Sequence, residues 1–315
     1  MSKKALIAMS GGVDSSVAAL LMKNAGYDCI GAMMRLWGGA NAQDETDAAA
    51  VAKRLDIPFY TFDLQSEFQN RVINKFIQTY ESGATPNPCL DCNRYLKFGA
   101  LYEKARELGC EYIATGHYVI CAQDKKSSRY LIKKAADPAK DQSYVLYSLP
   151  QEILSHCVFP LGTRKKSEIR AIAEENGFVN SRKKESQDIC FVPDGDYAAF
   201  IERETGKTYP PGDFVTVSGE KVGTHNGMIR YTIGQRKGLG VSYRVPLYVC
   251  GKDTEHNRVI LTEGEELFSR EVTAGDINLI SVPEIQDGMR VLARTRYNMK
   301  AVSYTHLRAH ETRGN

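Results

Sequence analysis

Ala5-Leu6-Ile7-Ala8-Met9-Ser10-Gly11-Gly12-Val13-Asp14-Ser15-Ser16 joins an apolar run, a glycine pair and a helical start with nothing between them. Five apolar residues in succession read as a strand buried on both faces. Ser15 to Asn24 carries apolar residues at helical spacing and closes at Gly26. Glycines let a backbone approach a phosphate, and a helix N-terminus offers unpaired N–H groups and the positive end of a dipole. Ser10, Ser15 and Ser16 add hydroxyl donors, so the stretch has the parts of a phosphate-binding loop. It lacks both the Gly-Lys-Ser/Thr ending of the Walker loop and the G-x-G-x-x-G of dinucleotide-binding turns. The bland alternative is a tight strand-to-helix turn capped by serine.

Outward from this loop, strands and helices alternate. Cys29 to Met34 and Phe59 to Leu64 read as further strands, and Glu111 to Ala114 as a fourth. Helical patterns cover Ala48 to Leu55, Ser66 to Tyr80 and Phe98 to Leu108. This alternation predicts an α/β fold with a parallel sheet covered on both faces. Past Asp194 the pattern changes to short strands divided by glycines. Leu247 to Gly251 and Arg258 to Thr262 read as a hairpin, with further strands expected over Val272 to Ile280 and Val291 to Arg296. The expected organisation is an α/β domain over 1–195, a small β domain over 196–268 and the start of another β module over 269–302. The polar stretch Tyr304 to Asn315 has no period and reads as a frayed tail.

The 315 residues are 43% hydrophobic and 25% charged, the composition of a globular protein. A net charge of +3 permits a nucleic-acid partner without indicating one. No apolar run is long enough to span a bilayer, and Ala5 to Met9 is too short for the core of a signal peptide, so a cytoplasmic protein is expected. In a reducing compartment the eight cysteines are not expected to form structural disulfides.

Three of those cysteines stand out by context. Thr85-Pro86-Asn87-Pro88-Cys89-Leu90-Asp91-Cys92-Asn93-Arg94 has two prolines that fix an extended approach to a helix beginning near Tyr95. Cys92, ahead of that helix and near Arg94 and Lys97, is expected to favour its thiolate. A structural zinc half-site is the alternative, but a zinc ion needs two more ligands and no second C-x2-C or H-x3-H occurs. Cys190, in Ser186-Gln187-Asp188-Ile189-Cys190-Phe191, reads in isolation as a buried strand cysteine.

Ser-Gly-Gly-Val-Asp-Ser-Ser over 10–16 resembles the PP-loop signature of ATP pyrophosphatases. Together with Asn87-Pro88-Cys89, Cys92-Asn93-Arg94, Ala114-Thr115-Gly116-His117-Tyr118, Lys140-Asp141-Gln142-Ser143-Tyr144, Ser186 to Phe191 and Tyr231 to Gly240, it stands in the order found in the tRNA-specific 2-thiouridylases. This resemblance, which runs from about Lys3 to about Lys300, implies a PP-loop domain, a central β domain and a C-terminal β-barrel. It implies ATP-dependent 2-thiolation of the wobble uridine of tRNA, with release of AMP and pyrophosphate. Ala8, Met9, Ser10, Gly11, Gly12, Val13, Asp14, Ser15, Met34 and Gly116 would line the ATP site, and Asp14 is the candidate ligand of Mg2+. Asn87, Pro88, Cys89 and His117 would lie at the target base, and Lys140, Asp141, Gln142, Arg296 and Tyr297 would touch tRNA. Cys92 would be the nucleophile and Cys190 the persulfide carrier, closing a transient disulfide that a cellular reductant reopens. A cysteine desulfurase or sulfur-relay protein would supply the sulfur. For Asp141 the plain alternative is a loop cap, and for Lys140 simple solvation.

Two departures from the family's pattern carry expectations. Many relatives have Asp where this chain has Cys89, and three thiolates from Cys89, Cys92 and Cys190 would suit a [4Fe–4S] cluster with one open iron. The family match also stops near Val302, which predicts a truncated barrel with exposed strand edges and weakened tRNA binding, and a tail over 303–315 foreign to the family. Two rival readings remain: a PP-loop enzyme acting on a small metabolite, which needs neither cysteine, and a non-catalytic nucleotide- or RNA-binding module.

Overall fold

The computed structural model describes residues 2–38, 42–183, 189–267, 271–296, 299 and 301–304. Its centre is a five-stranded parallel sheet in the order β3-β2-β1-β4-β7, from Phe59–Asp63, Asp28–Arg35, Lys4–Ala8, Tyr112–Thr115 and Cys157–Val158. The apolar run at the N-terminus is its central strand, where Ala5, Leu6 and Ile7 are fully buried. Helices Val13–Asn24 (α1), Ala42–Arg54 (α2) and Lys166–Glu175 contribute the apolar side chains covering one face. A second cluster, with Phe98, Leu101, Leu146 and Phe159, covers the other. A sheet buried on both faces explains why its strands read as continuous apolar runs rather than alternating ones.

Strand order reverses direction between β1 and β4. In open α/β sheets the crevice beyond the carboxyl ends of strands at such a switch point takes the ligand. Here it brings Met9 to Gly12, after β1, against Gly116 and His117, after β4.

The helix expected near Tyr95 starts seven residues earlier. Asn87 caps it, its Oδ1 accepting from the Cys89 N–H at 3.2 Å, with Pro88 in the first turn. Proline at that position sacrifices no hydrogen bond, because the first helical N–H groups have no partner in the helix. The helix runs over 88–107 and widens to i→i+5 turns at Cys92–Ala100, as does the helix over 65–81 at Gln69–Ile73. Such widened turns are frequent at functional sites. An aromatic cluster of Phe68, Phe76, Phe191 and Phe200 ties these helices to the chain beyond Cys190. The hairpin of Val119–Gln123 (β5) with Tyr130–Lys134 (β6) and the two-residue strand β7 are additions to the sequence reading.

The β region forms a four-stranded sheet, β10-β11-β8-β9, from Leu247–Asp253, Arg258–Glu263, Gly212–Thr216 and Lys221–His225. Its core is Phe214, Tyr231, Val249, Val259 and Leu261. The expected hairpin is present. The expected strand over Val272 to Ile280 is not: this segment pairs with no strand among the described residues, turns at Asp276 with φ 50°, and is held by the Arg129 side chain, which donates to the carbonyls of Leu279 and Ile280. Val291–Ala293 (β12) pairs antiparallel with Val302–Tyr304 (β13), so Ser303 and Tyr304 join a ribbon rather than a tail. Residues 305–315 lie outside the described residues.

Lys252 on β10 has its ammonium buried without a hydrogen-bond partner among the described residues, and burial pushes its pKa down to about 8. Because the folded pKa lies below the unfolded one, stability rises with pH between about 8 and 10.5 and the penalty is full at neutral pH. Lys252→Met is expected to raise stability at pH 7 by on the order of 1–3 kcal/mol, after discounting for partial solvent access, and the gain should shrink by about pH 10. Urea melts at the two pH values check this.

Candidate active site

The loop after β1 is built to leave donors free. Gly11 adopts φ 74°, and a Cβ there would lie 2.3 Å from the carbonyl oxygen of Asp44. Ser15 and Ser16 turn their hydroxyls back to the Gly12 carbonyl, each at 3.0 Å, and Ser15 Oγ accepts from the Ser10 N–H at 3.1 Å. No side chain caps α1 at Gly12, so its dipole faces the cleft unscreened by a cap. Gly116 packs on the first turn of α1, where a Cβ would come within 2.9 Å of the Ser15 nitrogen.

Residues from distant parts of the chain brace this loop. Lys166 Nζ meets both oxygens of Asp14, at 2.7 and 2.8 Å, and the Tyr118 hydroxyl donates to the same carboxylate at 2.7 Å. Asn180, 2% exposed, donates to the Gly11 carbonyl and to Ser16 Oγ, both at 2.9 Å. Lys183 pairs with Asp44 and with Asp47. Asn180 carries no signal in the sequence, and the basic runs Arg164-Lys165-Lys166 and Arg182-Lys183-Lys184 read equally well as contacts to a tRNA backbone and as solvated helix faces. Only the chain's return to β1 gives them a role.

A cleft of about 1280 Å³ opens beside the loop, lined by Ala8, Met9, Ser10, Asp14, Ser15 and Met34 on one side. Pro88, Cys89, Cys92, Lys97, Gly116, His117, Gln142 and Cys190 also line it. The candidate nucleotide and thiol residues therefore share one cavity. Gly11, Gly12 and Val13, expected at the ATP site, are not among the residues whose atoms line the cleft. All eight cysteines are free.

Several expectations need correction. Cys92 lies one turn inside its helix, not ahead of it, and burial pushes its thiol up to about 11, with Lys97 pulling the other way. Arg94 is turned away to Asp276 at 2.7 Å. Cys92 is therefore a protonated thiol at neutral pH in the unliganded protein. Cys190 is neither buried nor in a strand; it is open to solvent on one side, while the protein crowded around its other sides raises its pKa. Ser186, Gln187 and Asp188 lie outside the described residues. Asp141 is buried, and its carboxylate accepts from the Ala135 N–H at 3.0 Å and the Ser143 hydroxyl at 2.8 Å, the work of a loop cap. Gln142 Oε1 accepts from the Tyr118 N–H at 2.9 Å, while Lys140 lies half-exposed in the neighbouring turn. Arg296 is exposed and donates to the Ile233 carbonyl; Tyr297 lies outside the described residues.

The donor sets do not form ready metal sites. Among the described residues no three His, Cys, Asp or Glu side chains come together closely enough to hold a metal ion. Cys89, Cys92 and Cys190 line one cleft without converging on one point, so the [4Fe–4S] expectation finds no support in their geometry. Asp14 is already occupied by Lys166, which a magnesium ion on that carboxylate would have to displace.

Lys97 is the cation that the thiols and His117 share. Its ammonium lies 3.5 Å from His117 Nε2, and Thr115 Oγ1 is 2.7 Å from Nδ1. An ammonium only donates, which assigns the Nε2 lone pair to Lys97 and the Nδ1 proton to Thr115. Burial first, and Lys97 second, hold His117 well below its ordinary pKa, so it is neutral at pH 7. Its folded pKa is depressed, so the unfolded chain takes up the proton first and stability falls as pH drops below about 6.5. The slope from this one residue is at most about 1.4 kcal/mol per pH unit. His117→Gln should flatten the decline of melting temperature between about pH 6.5 and 5. Lys97→Met should slow alkylation of Cys92 by iodoacetamide at pH 8, on the order of several-fold, with Lys97→Arg near the wild-type rate.

Fold and cleft together define a nucleotide-activating α/β enzyme of the PP-loop class with an attached β domain. The comparisons agree on both parts: the chain matches the tRNA methyl transferase HUP domain over residues 3–194 and the tRNA methyl transferase PRC-barrel domain over 198–263. It is 47% identical over 312 residues to the tRNA-specific 2-thiouridylase MnmA 2 of Thermoanaerobacter sp. (strain X514), spanning 95% of this chain and 86% of that protein. It is 44% identical over 310 residues to the tRNA-specific 2-thiouridylase MnmA of Clostridioides difficile (strain 630), with the same two coverages. The chain belongs to the tRNA-specific 2-thiouridylase family.

Proposed function

We propose that this chain is a tRNA-uridine 2-sulfurtransferase that spends ATP to replace O2 of the wobble uridine with sulfur. The observation that carries this reading is the shared cleft, lined both by the phosphate loop and by Cys92 and Cys190. The family descriptions name a methyl transferase, but a phosphate loop and two free thiols in one cleft support activation followed by sulfur transfer.

ATP lies with its phosphates on the free N–H groups of the loop and the first turn of α1. Magnesium would come with the nucleotide and offset the charge of its phosphates, since among the described residues no three His, Cys, Asp or Glu side chains meet to hold it. The uridine leaves its stack to enter the cleft. Its O2 attacks the α-phosphorus, the bond to pyrophosphate breaks with its electrons leaving on pyrophosphate, and the N3 proton passes to a base. That base is solvent, since the Nε2 lone pair of His117 already faces the Lys97 ammonium and burial disfavours its protonation. The terminal sulfur of a Cys190 persulfide then attacks C2, and AMP departs carrying O2. Cys92 attacks Cys190 Sγ, the S–S electrons pass to the sulfur on C2, and 2-thiouridine leaves a Cys92–Cys190 disulfide. A cellular dithiol reduces that disulfide, and a cytoplasmic cysteine desulfurase or sulfur-relay protein reloads Cys190. Lys97 stabilises the sulfur anions as they form.

The test is conversion of ATP to AMP with unmodified tRNA and a persulfide supply from cysteine and a cysteine desulfurase, with 2-thiouridine read by nucleoside mass spectrometry. AMP and thiouridine in step are expected. AMP without thiouridine would move the reading to a PP-loop enzyme with another acceptor, and no tRNA-stimulated AMP would overturn it.

A further inference from the structure

The helix that presents Cys92 and Lys97 to the cleft carries a different surface on its outer side. Arg94 is exposed there and lies 5.4 Å from the ring of its neighbour Tyr95. Arg71 and Lys75, one turn apart on the helix over 65–81 and both exposed, approach the same ring at 5.5 and 6.0 Å. Three cations are thus gathered round one tyrosine. Mutual repulsion opposes this, and the local acids offset only part of it: Lys75 pairs with Asp91 and Arg94 with Asp276, each at 2.7 Å. Arg71 has no acidic partner among the described residues. The whole chain carries only +3, so the clustering is local and not a reflection of a basic protein.

The pattern continues along the surface. Tyr147, 49% exposed, lies close enough to Arg94 to feel its charge. Tyr144 beside it has Arg294 over its ring at 5.9 Å, and its hydroxyl donates to the Thr295 carbonyl at 3.3 Å. Cations and aromatic rings alternate from the 65–81 helix, across the thiol helix, to the segment next to Arg296. Arginine planes and tyrosine rings are the surfaces on which unpaired RNA bases stack, and their charges take the phosphates between them.

We propose that Arg71, Lys75 and Arg94, gathered round Tyr95, are a docking station for the sugar-phosphate backbone of tRNA next to the target uridine, on the outer wall of the cleft. The inference rests on the tRNA-thiolating reading above. The station holds the strand while one base turns inward, so it acts on tRNA affinity and not on ATP binding or on the sulfur chemistry.

The test measures binding of unmodified tRNA by the full chain as salt is raised from about 50 to 200 mM, comparing wild type with Arg71→Gln/Lys75→Gln/Arg94→Gln. Loss of three phosphate contacts is expected to weaken binding on the order of tenfold or more at about 0.15 M salt and to flatten the log–log salt slope by roughly two to three. ATP affinity and kcat at saturating tRNA should stay at wild-type values. Unchanged tRNA affinity and slope, with thiouridine still formed, would overturn the station and leave the enzyme's function standing. So would a loss confined to sulfur delivery from a donor protein, which would make the surface a protein-docking site. Should the triple variant melt early, Arg71→Gln alone is expected to lower the slope by about one, and no change there overturns the proposal equally. A wild type that neither binds tRNA nor makes thiouridine would instead remove the functional reading, and the station with it.

Discussion

Cys190→Ala is expected to reduce 2-thiouridine formation by at least about 10³-fold while ATP still binds and tRNA is still adenylated. The thiol lines the cleft, is open to solvent, and is followed by Phe191, which is 1% exposed within the aromatic cluster and anchors it. Removing the sulfur therefore removes the carrier without disturbing the phosphate loop. Cys92→Ser should behave differently. Sulfur reaches C2, but the link between C2 sulfur and Cys190 is not resolved, so tRNA accumulates covalently bound to the protein. Dithiothreitol, a dithiol able to replace Cys92 in that exchange, should release thiouridine from it. A gel shift of the protein with radiolabelled tRNA, with and without reductant, separates the two variants. Equal behaviour of Cys190→Ala and Cys92→Ser would contradict the division of labour between them.

Gly11→Ala is the second large effect. A side chain there meets the Asp44 backbone at 2.3 to 2.8 Å and must also hold a left-handed φ of 74°. Left-handed backbone at a non-glycine residue costs about 1 kcal/mol or more, and overlap with backbone atoms cannot be relieved by a rotamer change. The loop must shift, and with it the N–H groups that receive phosphate. Loss of ATP affinity and of AMP formation by about 10²-fold or more is expected. Gly12→Ala is the control: its φ is −92°, and the nearest atom to an added Cβ is the flexible Ser10 Oγ at 3.4 Å. Isothermal titration with ATP should show a near-normal Gly12→Ala and a crippled Gly11→Ala. Comparable losses would mean that the glycine pair matters for flexibility rather than for fit.

Much of the framework follows from local pattern. Ala5 to Ile7 are apolar without interruption because both faces of the central strand are covered, and the glycine pair and serines after them are required wherever a backbone must hold a phosphate. Cys92 and Cys190 were identified as chemical residues by family resemblance, and Asn87-Pro88 already contains the helix start that the sequence reading set near Tyr95. That displacement matters: starting the helix at Pro88 carries Cys92 inside the first turns, where burial and not the helix end governs its thiol. Val272 to Ile280 has the composition of a strand but pairs with none among the described residues; side-chain bonds from Arg129 and Asn278 hold it instead, and strand propensity forms nothing without a partner.

The tertiary structure alone decided which charges meet. Asp14 is paired with Lys166, Gly11 with Asn180, and Asp44 and Asp47 with Lys183, across sequence separations of 136 to 169 residues. The same holds for Arg71 and Lys75 gathering with Arg94 round Tyr95, and for Asp141 turning inward to hold a loop. Apolar periodicity and glycine placement are local requirements that a chain must display along its length. The partner of a charge is set by how the elements pack, and a lysine reads the same in sequence whether it faces water, a carboxylate or a phosphate.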